Sequence, residues 1–431
     1  MTRVPPPEAD RLPDIAGALR AAAARFGTPV FVTDARALEI AAIELRAAFR
    51  DPWLRSYSLK ANDLPAIVAR LAGAGLGANV VSRGEWSLAV RAGVPNAAIT
   101  LEGIGKTDAD LRAAVRAAVD GRPLRWVAIE SIDEARALAA IARRAGAPRI
   151  DVLLRLNPDV APETQAGLAV GAGGSKFGLS ETELGAAIAA GGGPDGPLRW
   201  RGIHLHVGSQ LGAIDAWRDA LRRGLGLVAL WRGSLPDFDT LDVGGGFPVG
   251  AIGTAVPRPE RFARELPALL AAIPADRRPT RLAVEPGRFL VARAGLLLAR
   301  VLHVRGRGGR PMVVIDAGMT ELIRPALYGA RHEVMALTSF GRPVDPAAPV
   351  TAHGLDVTRV EGPICESTDS FGEHLLPGLR RGDVVAIRDA GAYGAGLSSR
   401  YNGRPRPPQV LLEPDGRLVL VRRRGSLASL A

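Results

Sequence analysis

Short apolar runs rich in β-branched residues alternate with longer segments of helical period along the chain as far as Ala292. Eight of these runs have the length and composition of buried strands, with helical segments between them. The eight runs are Arg55–Lys60, Gly77–Val81, Ala97–Leu101, Arg125–Ile129, Ile150–Leu156, Arg201–Val207, Thr240–Val243 and Arg281–Val284. Eight β/α units in about 250 residues predict an α/β fold, a (β/α)8 TIM-type barrel over residues 34–290.

The pattern changes after Ala292, where short strand-like runs are broken by glycine and proline. These runs are Leu296–Val304, Pro311–Ile315, Thr351–Val360, Asp383–Ile387, Gln409–Leu412 and Leu418–Arg422. They predict a second, all-β domain made of residues 291–431, completed by residues 1–33 at the start of the chain.

The C-terminal ends of the predicted barrel strands are polar or glycine-rich. In barrels of this type, active-site groups lie at those ends. The residues there are Lys60, Ser82, Glu102, Glu130, Asn157, His206, the glycines Gly244, Gly245 and Gly246, and Glu285. Packing alone does not account for polar or glycine residues at all eight ends. We therefore expect a functional site at this end of the barrel.

Lysine is rare in this chain. Of 55 basic residues only Lys60, Lys106 and Lys176 are lysines, and the others are arginines. Arginine can replace a lysine that serves only as a positive charge, but its guanidinium cannot form a Schiff base. Lys60 follows a predicted strand, so it is the candidate for chemistry that needs an amine. The alternative is that its position reflects composition and chance.

Glycines mark the loops after the seventh and eighth predicted strands, where phosphate sites of such barrels commonly form. The first loop contains Gly244–Gly246, and the second contains Gly287 and Arg288. Backbone N–H groups of a glycine turn can close on a phosphate, and Arg288 adds positive charge. A phosphate site together with a strand-end lysine implies pyridoxal 5'-phosphate, bound to Lys60 as a Schiff base.

Composition narrows the partners and the compartment. The net charge of +11 indicates an anionic partner, but no basic stripe interleaves with aromatic residues. A small anionic molecule is therefore favoured over nucleic acid. The single cysteine, Cys365, excludes an internal disulfide framework and fits a reducing compartment. No apolar run approaches the roughly 18 residues of a membrane span, and no secretory signal opens the chain. We expect a cytoplasmic protein without a membrane partner.

Motifs along most of the chain resemble those of the fold-type III pyridoxal-phosphate decarboxylases, and among these most closely the diaminopimelate decarboxylase family. The motifs are Tyr57–Asn62, Gly202–Gln210, Asp242–Phe247, Glu285–Arg288, Asp316–Met319, Arg324–Tyr328, Cys365–Ser367 and Asp389–Gly394. Each motif alone is weak evidence. Their common order and their barrel-consistent spacing make the resemblance specific.

The resemblance implies a role for each residue that would contact the cofactor. Lys60 would hold the cofactor as a Schiff base and release it to the substrate amine. Glu285 would pair with the pyridine nitrogen, and His206 would stack on the ring. The implied phosphate-binding residues are Ser209, Gly244, Gly245, Gly246, Gly287, Arg288 and Tyr393.

The resemblance also implies a substrate and an assembly. The residues that would bind the substrate's distal end are Arg288, Arg324, Tyr328 and Tyr393 for its carboxylate, and Glu366 for its ammonium group. Cys365 would donate a proton, and Cys365 and Glu366 would reach in from the partner subunit of a homodimer that shares its active sites. The implied reaction is decarboxylation of meso-2,6-diaminopimelate to L-lysine and CO2, the last step of lysine biosynthesis.

Several positions depart from the family's usual residues. Asn79 replaces an Asp, Arg83 a Gly, Arg400 an Asn, and Thr320-Glu321 an Asn-Asp pair. The first three favour an alternative, a paralogous pyridoxal-phosphate decarboxylase acting on ornithine, lysine or a secondary-metabolite precursor. A non-catalytic relative is a third hypothesis, which the presence of Lys60, Glu285 and Cys365 disfavours.

Two further features have alternative interpretations. His204 shares a strand face with His206, and we expect it to pack in the core rather than to take part in chemistry. Residues 157–180 are rich in glycine and proline and predict a long active-site loop that closes as a lid. The alternative for that segment is a disordered insertion.

Overall fold

Eight parallel strands close into a barrel, which confirms the (β/α)8 fold class predicted from the sequence. The structure is a computed structural model that describes residues 11–160, 174–250, 254–345 and 354–430. Its strands, in chain order, are β1 Val30–Asp34, β2 Leu54–Ser58, β3 Gly77–Val80, β4 Ile99–Leu101, β5 Trp126–Ile129, β6 Ile150–Leu156, β7 Leu198–Leu205, β8 Thr240–Asp242, β9 Arg281–Val284, β10 Gly295–Arg307, β11 Arg310–Ile315, β12 Val334–Ala336, β13 Thr338–Ser339, β14 Arg342–Pro343, β15 Asp356–Glu361, β16 Ser370–Leu376, β17 Val384–Ile387, β18 Gln409–Leu412 and β19 Leu418–Arg422. Strands β2 to β9 form the barrel in chain order, and β9 pairs with β2 to close it.

Helices follow most of the barrel strands, as the alternating pattern predicts. The helices are α1 Leu12–Phe26, α2 Ala35–Ala48, α3 Pro65–Gly73, α4 Arg83–Arg91, α5 Asp108–Val119, α6 Ile132–Arg144, α7 Leu184–Ala190, α8 Asp215–Trp231, α9 Pro259–Ala263, α10 Leu266–Ala271, α11 Arg288–Val291 and α12 Arg324–Tyr328. The side chains of Ser82, Thr107 and Ser131 cap α4, α5 and α6 by accepting a backbone N–H of the first turn. These caps end the loops that follow β3, β4 and β5, and so fix where each helix begins.

Strand β7 begins at Leu198, earlier than the predicted start at Arg201. Its pairing with β6 shifts register at Gly202, where the backbone has a φ of 150°. A side chain at this position would collide with the carbonyl oxygen of Thr240 on β8. Glycine is therefore required for β8 to pair closely with the irregular strand.

Aromatic residues pack together beside the barrel. The ring of Phe247, which follows β8, contacts the rings of Phe49, Phe262 and Phe289 at centroid distances of 5.5, 5.1 and 6.4 Å. Phe247 is 2% exposed, so this packing fixes the end of the glycine loop that begins at Gly244. A rigid loop end matters because the loop carries candidate site residues.

A separate mixed sheet has the order β16-β15-β11-β10-β1-β18-β19, and β17 pairs with β10 and β12. Strand β1 pairs antiparallel with β10 and parallel with β18, so Val30–Asp34 lie within this sheet. The pattern did not predict β16, whose Leu375 is exposed and whose Gly372 interrupts the alternation. The helix α1, which was also not predicted, packs Leu19 into the same core as Val30 and Leu298.

The chain divides into two units. The barrel unit consists of Ala42–Val249 and Ala255–Phe289. The sheet unit, which contains the mixed sheet, consists of Met1–Ala41, Gly250–Thr254 and Leu290–Ala431. Among the described residues, no helix combines the length and the apolar character needed to cross a membrane.

Candidate active site

Lys60 lies in a short 3-10 turn, Leu59–Ala61, directly after β2. Leu59 and Ala61 are buried while Lys60 is exposed, so the turn presents the amine at the C-terminal end of the barrel. Two contacts hold the turn: the Tyr57 hydroxyl donates to the carbonyl of Asn62 at 2.8 Å, and the N–H of Ser58 donates to the carbonyl of Pro286 at 3.1 Å. The turn that carries Lys60 is thus joined to the loop that follows β9.

The other two lysines have different surroundings. The ammonium group of Lys106 is 2.8 Å from Oε1 of Glu134, and the Lys106 side chain is 1% exposed. This buried ion pair joins the loop after β4 to helix α6. The Lys176 ammonium lies 5.4 Å from the ring centroid of Phe177. Lys106 therefore has a structural partner in a buried ion pair, whereas Lys60 is exposed at the strand end.

Glu285 follows β9 and is buried, and neutral donors hold one of its oxygens. Nδ2 of Asn79 donates to Oε1 of Glu285 at 2.7 Å, and the Thr100 hydroxyl donates to the same atom at 3.1 Å. The Ser58 hydroxyl donates to Oδ1 of Asn79 at 3.0 Å, which orients the amide with its nitrogen toward Glu285. The carboxylate is therefore fixed by groups on three other strands or strand ends.

His204 lies between two buried carboxyl groups. Its Nε2 is 3.4 Å from Oε2 of Glu102 and 3.4 Å from Oε2 of Glu285. Burial lowers the pKa of His204 to about 4 and raises the pKa of Glu102 to about 7, the latter also because of the negative charge of Glu285. Burial and Glu285 also raise the pKa of Asp242 well above its ordinary value. His204 is buried as expected, but it faces carboxyl groups as well as the apolar core.

The glycines after β8 form a turn that no other residue fits. Gly244 and Gly246 have positive φ angles of 67° and 99°, and side chains there would collide with the carbonyl oxygens of Leu205 and Gly208. The N–H of Gly245 donates to Nδ1 of His206 at 3.4 Å, which links the turn to the end of β7. The pKa of His206 lies well below its ordinary value because of burial and, next, the nearby charge of Lys60.

Arg288 joins the loops that follow β7 and β9. Its Nε and Nη2 donate to the Ser209 hydroxyl at 3.2 and 3.1 Å, and Arg288 is buried. A side chain at Gly287 would lie 3.1 Å from the Cβ atoms of both Ser58 and Ala61. The absence of a side chain at Gly287 therefore lets this loop lie close to the turn that carries Lys60.

The barrel residues fit the pyridoxal phosphate that the sequence implies. An amine at the end of β2 can bind its aldehyde, and a carboxylate after β9 can face its pyridine nitrogen. The glycine turn, Ser209 and Arg288 provide N–H, hydroxyl and guanidinium donors of the kind that bind a phosphate. All these groups lie at one end of the barrel strands.

Arg324 and Tyr328 lie at the two ends of the short helix α12 in the sheet unit. The guanidinium of Arg324 is 2.9 Å from Nε2 of His332, and Nδ1 of His332 is 2.8 Å from the carbonyl oxygen of Arg388. A carbonyl only accepts, so Nδ1 of His332 donates and Nε2 accepts from Arg324. The neutral histidine thereby orients a buried guanidinium.

Cys365 and Glu366 are exposed on a loop of the sheet unit. Asp369 holds this loop by accepting the N–H of Ile364 at 2.7 Å and the N–H of Met319 at 2.5 Å. The Tyr401 hydroxyl donates to Oε1 of Glu366 at 2.6 Å, and this bond raises the pKa of Tyr401. The loop therefore presents a thiol beside an oriented carboxylate.

Other motif residues of the sheet unit have irregular backbone. Tyr393 is half-buried, and Tyr393 and Asp389 both have a φ of 55°. Non-glycine residues adopt this conformation rarely, and such strain is common at functional sites.

The Thr320-Glu321 pair replaces the Asn-Asp pair that is usual in the family. Oε2 of Glu321 accepts hydrogen bonds from the N–H of Gly318 and from the Thr320 hydroxyl, which stabilises the turn.

Three residues that differ from the family's usual ones have different surroundings: Arg83, Arg400 and Asn79. Arg83 is exposed and its Nε is 3.0 Å from Asp110, while Arg400 is exposed on the sheet unit. Asn79 is 1% exposed and contacts Glu285 directly. Of the three, Asn79 therefore has a contact with a candidate site residue.

The predicted lid falls partly outside the described residues, which exclude 161–173. The described ends of this segment are joined: the N–H of Asn157 donates to the carbonyl of Leu179 at 2.8 Å, and Nδ2 of Asn157 donates to Ser175 at 3.1 Å. The guanidinium of Arg155 lies 5.0 Å from the ring centroid of Phe177. The segment thus begins and ends at the same place, at the end of β6.

Comparison with known proteins shows which proteins this chain is similar to. Residues 37–292 match the pyridoxal binding domain of pyridoxal-dependent decarboxylases. The chain is 34% identical to diaminopimelate decarboxylase of Aquifex aeolicus, over 94% of this chain and 91% of the relative. The crystal structure of diaminopimelate decarboxylase from Helicobacter pylori with L-lysine is similar, with a TM-score of 0.86, 28% identity and coverage of 96% and 98%. The M. jannaschii diaminopimelate decarboxylase with L-lysine gives a TM-score of 0.85, 30% identity and coverage of 95% and 92%.

Proposed function

Because the chain belongs to the pyridoxal-dependent decarboxylases, and within them to the diaminopimelate decarboxylase family, we propose that it converts meso-2,6-diaminopimelate to L-lysine and CO2. A C–C bond to one carboxylate breaks and a proton takes the place of CO2. The observation that carries the proposal is the barrel end at which Lys60, the glycine turn, Arg288 and Glu285 lie together. The reaction would complete the biosynthesis of lysine.

The barrel residues hold the cofactor and control its charge. Pyridoxal phosphate, when bound, accepts the electron pair that CO2 leaves behind. Lys60 would bind its aldehyde through the amine and release it to the substrate's amine, and His206 would stack on the ring. The residues proposed to bind the phosphate are Ser209, Gly244, Gly245, Gly246, Gly287, Arg288 and Tyr393.

Glu285 would face the pyridine nitrogen of the bound cofactor and favour its protonated form. The Asn79 and Thr100 donors fix one oxygen of Glu285, so the carboxylate is oriented before the cofactor binds. Such preorganised charge costs no rearrangement during the reaction, which is why it is effective in catalysis.

The sheet unit carries the residues proposed to select the substrate. Arg324 and Tyr328 bind the distal carboxylate together with Arg288 of the barrel unit, Glu366 binds the distal ammonium group, and Tyr393 also binds the substrate. The His332 and Tyr401 contacts support this assignment, because they orient a cation and an anion suited to the two ends of an amino-acid group. Cys365 donates the proton that replaces CO2.

The proposed assembly is a cytoplasmic homodimer with shared active sites. Cys365 and Glu366 of one subunit act on substrate bound in the barrel of the other, an isologous arrangement. The exposure of Cys365 and Glu366 in the single chain is compatible with such a role. The single cysteine of the sequence favours a reducing compartment.

The proposal is tested by measuring CO2 release from meso-diaminopimelate, L-ornithine, L-arginine and L-lysine with the purified holoenzyme. We expect release from meso-diaminopimelate, with L-lysine as the product, and no release by the Lys60→Ala control. Release from ornithine or lysine in place of meso-diaminopimelate would instead support the paralogous decarboxylase. No release from any of them by protein loaded with cofactor would overturn the assignment as a decarboxylase of these substrates.

A further inference from the structure

Four side chains surround Glu285, and one of them, Glu102, is acidic. Asn79 and Thr100 donate to Oε1, while His204 and Glu102 lie near Oε2. The ligand atoms of Glu102, His204 and Glu285 lie within 4.8 Å of one another, and all three residues are buried. The arrangement leaves Glu285 with a second carboxyl group as a close neighbour.

A third carboxyl group, that of Asp242, lies in the same buried region. Its Oδ1 accepts the N–H of Gly244 at 2.9 Å, and Asp242 is fully buried. Carboxylates this close together cannot all carry a charge, because each negative charge disfavours the next. The raised pKa values of Glu102 and Asp242 agree with this expectation.

The cations around this region are shared among several groups: the charge of Arg155 also acts on Glu102, and the charge of Arg125 acts on Asp242 and Glu285. Nη1 of Arg155 donates to Oε1 of Glu130 at 2.8 Å, and Arg125 donates to the Ser56 hydroxyl at 3.4 Å and to a backbone carbonyl. Lys60 is assigned to the cofactor. A further carboxylate near Glu285 would therefore add negative charge without a dedicated cation.

Position 79 is where that further carboxylate would lie. The amide of Asn79 is held by the Ser58 hydroxyl so that its nitrogen faces Glu285 at 2.7 Å. An ionised aspartate there could not donate to Glu285 and would place two negative oxygens in contact. Asn79 thus provides a donor without adding charge.

We infer that Asn79 is a positioning residue for Glu285, and that its neutrality is required because Glu102 already places a second carboxyl group beside Glu285. This rests on the proposed function, in which Glu285 faces the pyridine nitrogen. Asn79 acts through Glu285 and does not contact the substrate. Asn79, which replaces the Asp that is usual in the family, therefore compensates for the carboxyl group of Glu102 and does not set substrate choice.

The inference is tested with the holoenzymes N79D, N79A, E102Q, N79D/E102Q and N79A/E102Q. Three quantities are measured: kcat and KM for meso-diaminopimelate, the absorption spectrum of the bound cofactor, and the rate at which cofactor is lost on dialysis. Circular dichroism verifies that each variant is folded. E102Q serves as the reference for the two double variants.

We expect N79D to lower kcat by about tenfold or more, to change the cofactor spectrum and to speed cofactor loss, with a smaller effect on KM. N79D/E102Q should recover about tenfold in kcat relative to N79D, because the removal of one carboxyl group offsets the addition of another. N79A should also lower kcat, but E102Q should not rescue it, because the missing group is a donor.

The inference is overturned if N79D retains the kcat and spectrum of the unmodified enzyme, or if E102Q fails to rescue N79D. A failure of the proposed function is distinguished by the variant E285Q. If E285Q has normal turnover, Glu285 does not face the ring nitrogen, and the assignment of Glu285 itself is wrong. If E285Q is inactive and N79D is normal, only the inference about Asn79 fails.

Discussion

The hydroxyl of Tyr401 donates to Oε1 of Glu366 at 2.6 Å, although the two residues are 35 positions apart in the chain. A short bond to a carboxylate is stronger than one between neutral groups and fixes the orientation of the acceptor. Glu366 is exposed, so without Tyr401 its side chain would sample many rotamers. The contact therefore orients the carboxylate of Glu366, which is proposed to bind the substrate's ammonium group.

Replacing Tyr401 with Phe should raise KM for meso-diaminopimelate several-fold while kcat changes less. The variant removes the hydroxyl and keeps the ring, so Glu366 loses its fixed orientation but not its charge. Steady-state kinetics measure both constants. An unchanged KM would show that Glu366 does not bind the substrate's ammonium group or does not need Tyr401 to do so.

Replacing His332 with Ala should weaken binding of meso-diaminopimelate by about tenfold and leave the affinity for 1,5-diaminopentane nearly unchanged. The diamine lacks the distal carboxylate that Arg324 is proposed to bind, so only the dicarboxylic ligand depends on the Arg324–His332 contact. Inhibition constants and KM values give the comparison. His374→Ala is the matched control, because His374 bonds to the backbone groups of Val334 and Phe371. Equal losses for both ligands would indicate a structural role for His332.

Borohydride reduction of the holoenzyme should attach the cofactor to Lys60, as found by mass spectrometry of the digested protein. Lys60 is exposed after β2, whereas Lys106 is buried against Glu134. Arginine cannot form the reducible bond, so the three lysines are the candidates within the chain. Recovery of the adduct on Lys106 or Lys176 would contradict both the strand register and the proposed chemistry.

The stability of the protein should fall with rising pH between about 5 and 7 by more than that of its E102Q variant. Burial raises the pKa of Glu102 to about 7, so in this range the folded state retains a proton that the unfolded state has released. Each pH unit then costs up to about 1.4 kcal/mol of folding free energy. Denaturant unfolding of both proteins at several pH values gives the difference. His204, whose pKa is lowered to about 4 chiefly by burial, has the opposite effect on stability in both proteins. Parallel curves would mean that Glu102 titrates normally.

Mixing inactive K60A and C365A proteins should restore roughly a quarter of the wild-type activity, if the sites are shared in a two-fold dimer. Random exchange makes about half of the dimers mixed, and each mixed dimer has one intact site and one doubly altered site. Native mass spectrometry verifies the exchange. With exchange verified, a mixture that stays inactive would place Cys365 in the site of its own subunit or outside any site.

The sequence by itself determined the barrel, because strand and helix periods are local properties of the chain. The alternation of apolar runs gave the order of β2 to β9, and the polar strand ends marked the face that carries Lys60 and Glu285. The scarcity of lysine left three candidates, and the predicted strand end selected Lys60 among them. The roles of the individual site residues stay predictions until the variants are measured.

Only the tertiary structure decided which side chains meet. Barrel closure brings Asn79, Thr100, Glu102 and His204 to Glu285, although up to 206 positions separate them along the chain. No local pattern signals such contacts. Glu102 was expected at the site because it follows a predicted strand, but the sequence did not show which residues it would face. Strand β16 was missed for a related reason, since its pairing with β15 stabilises a segment whose own alternation is poor. Hydrophobic period is encoded residue by residue, whereas contacts across a closed sheet depend on the register of every strand between them.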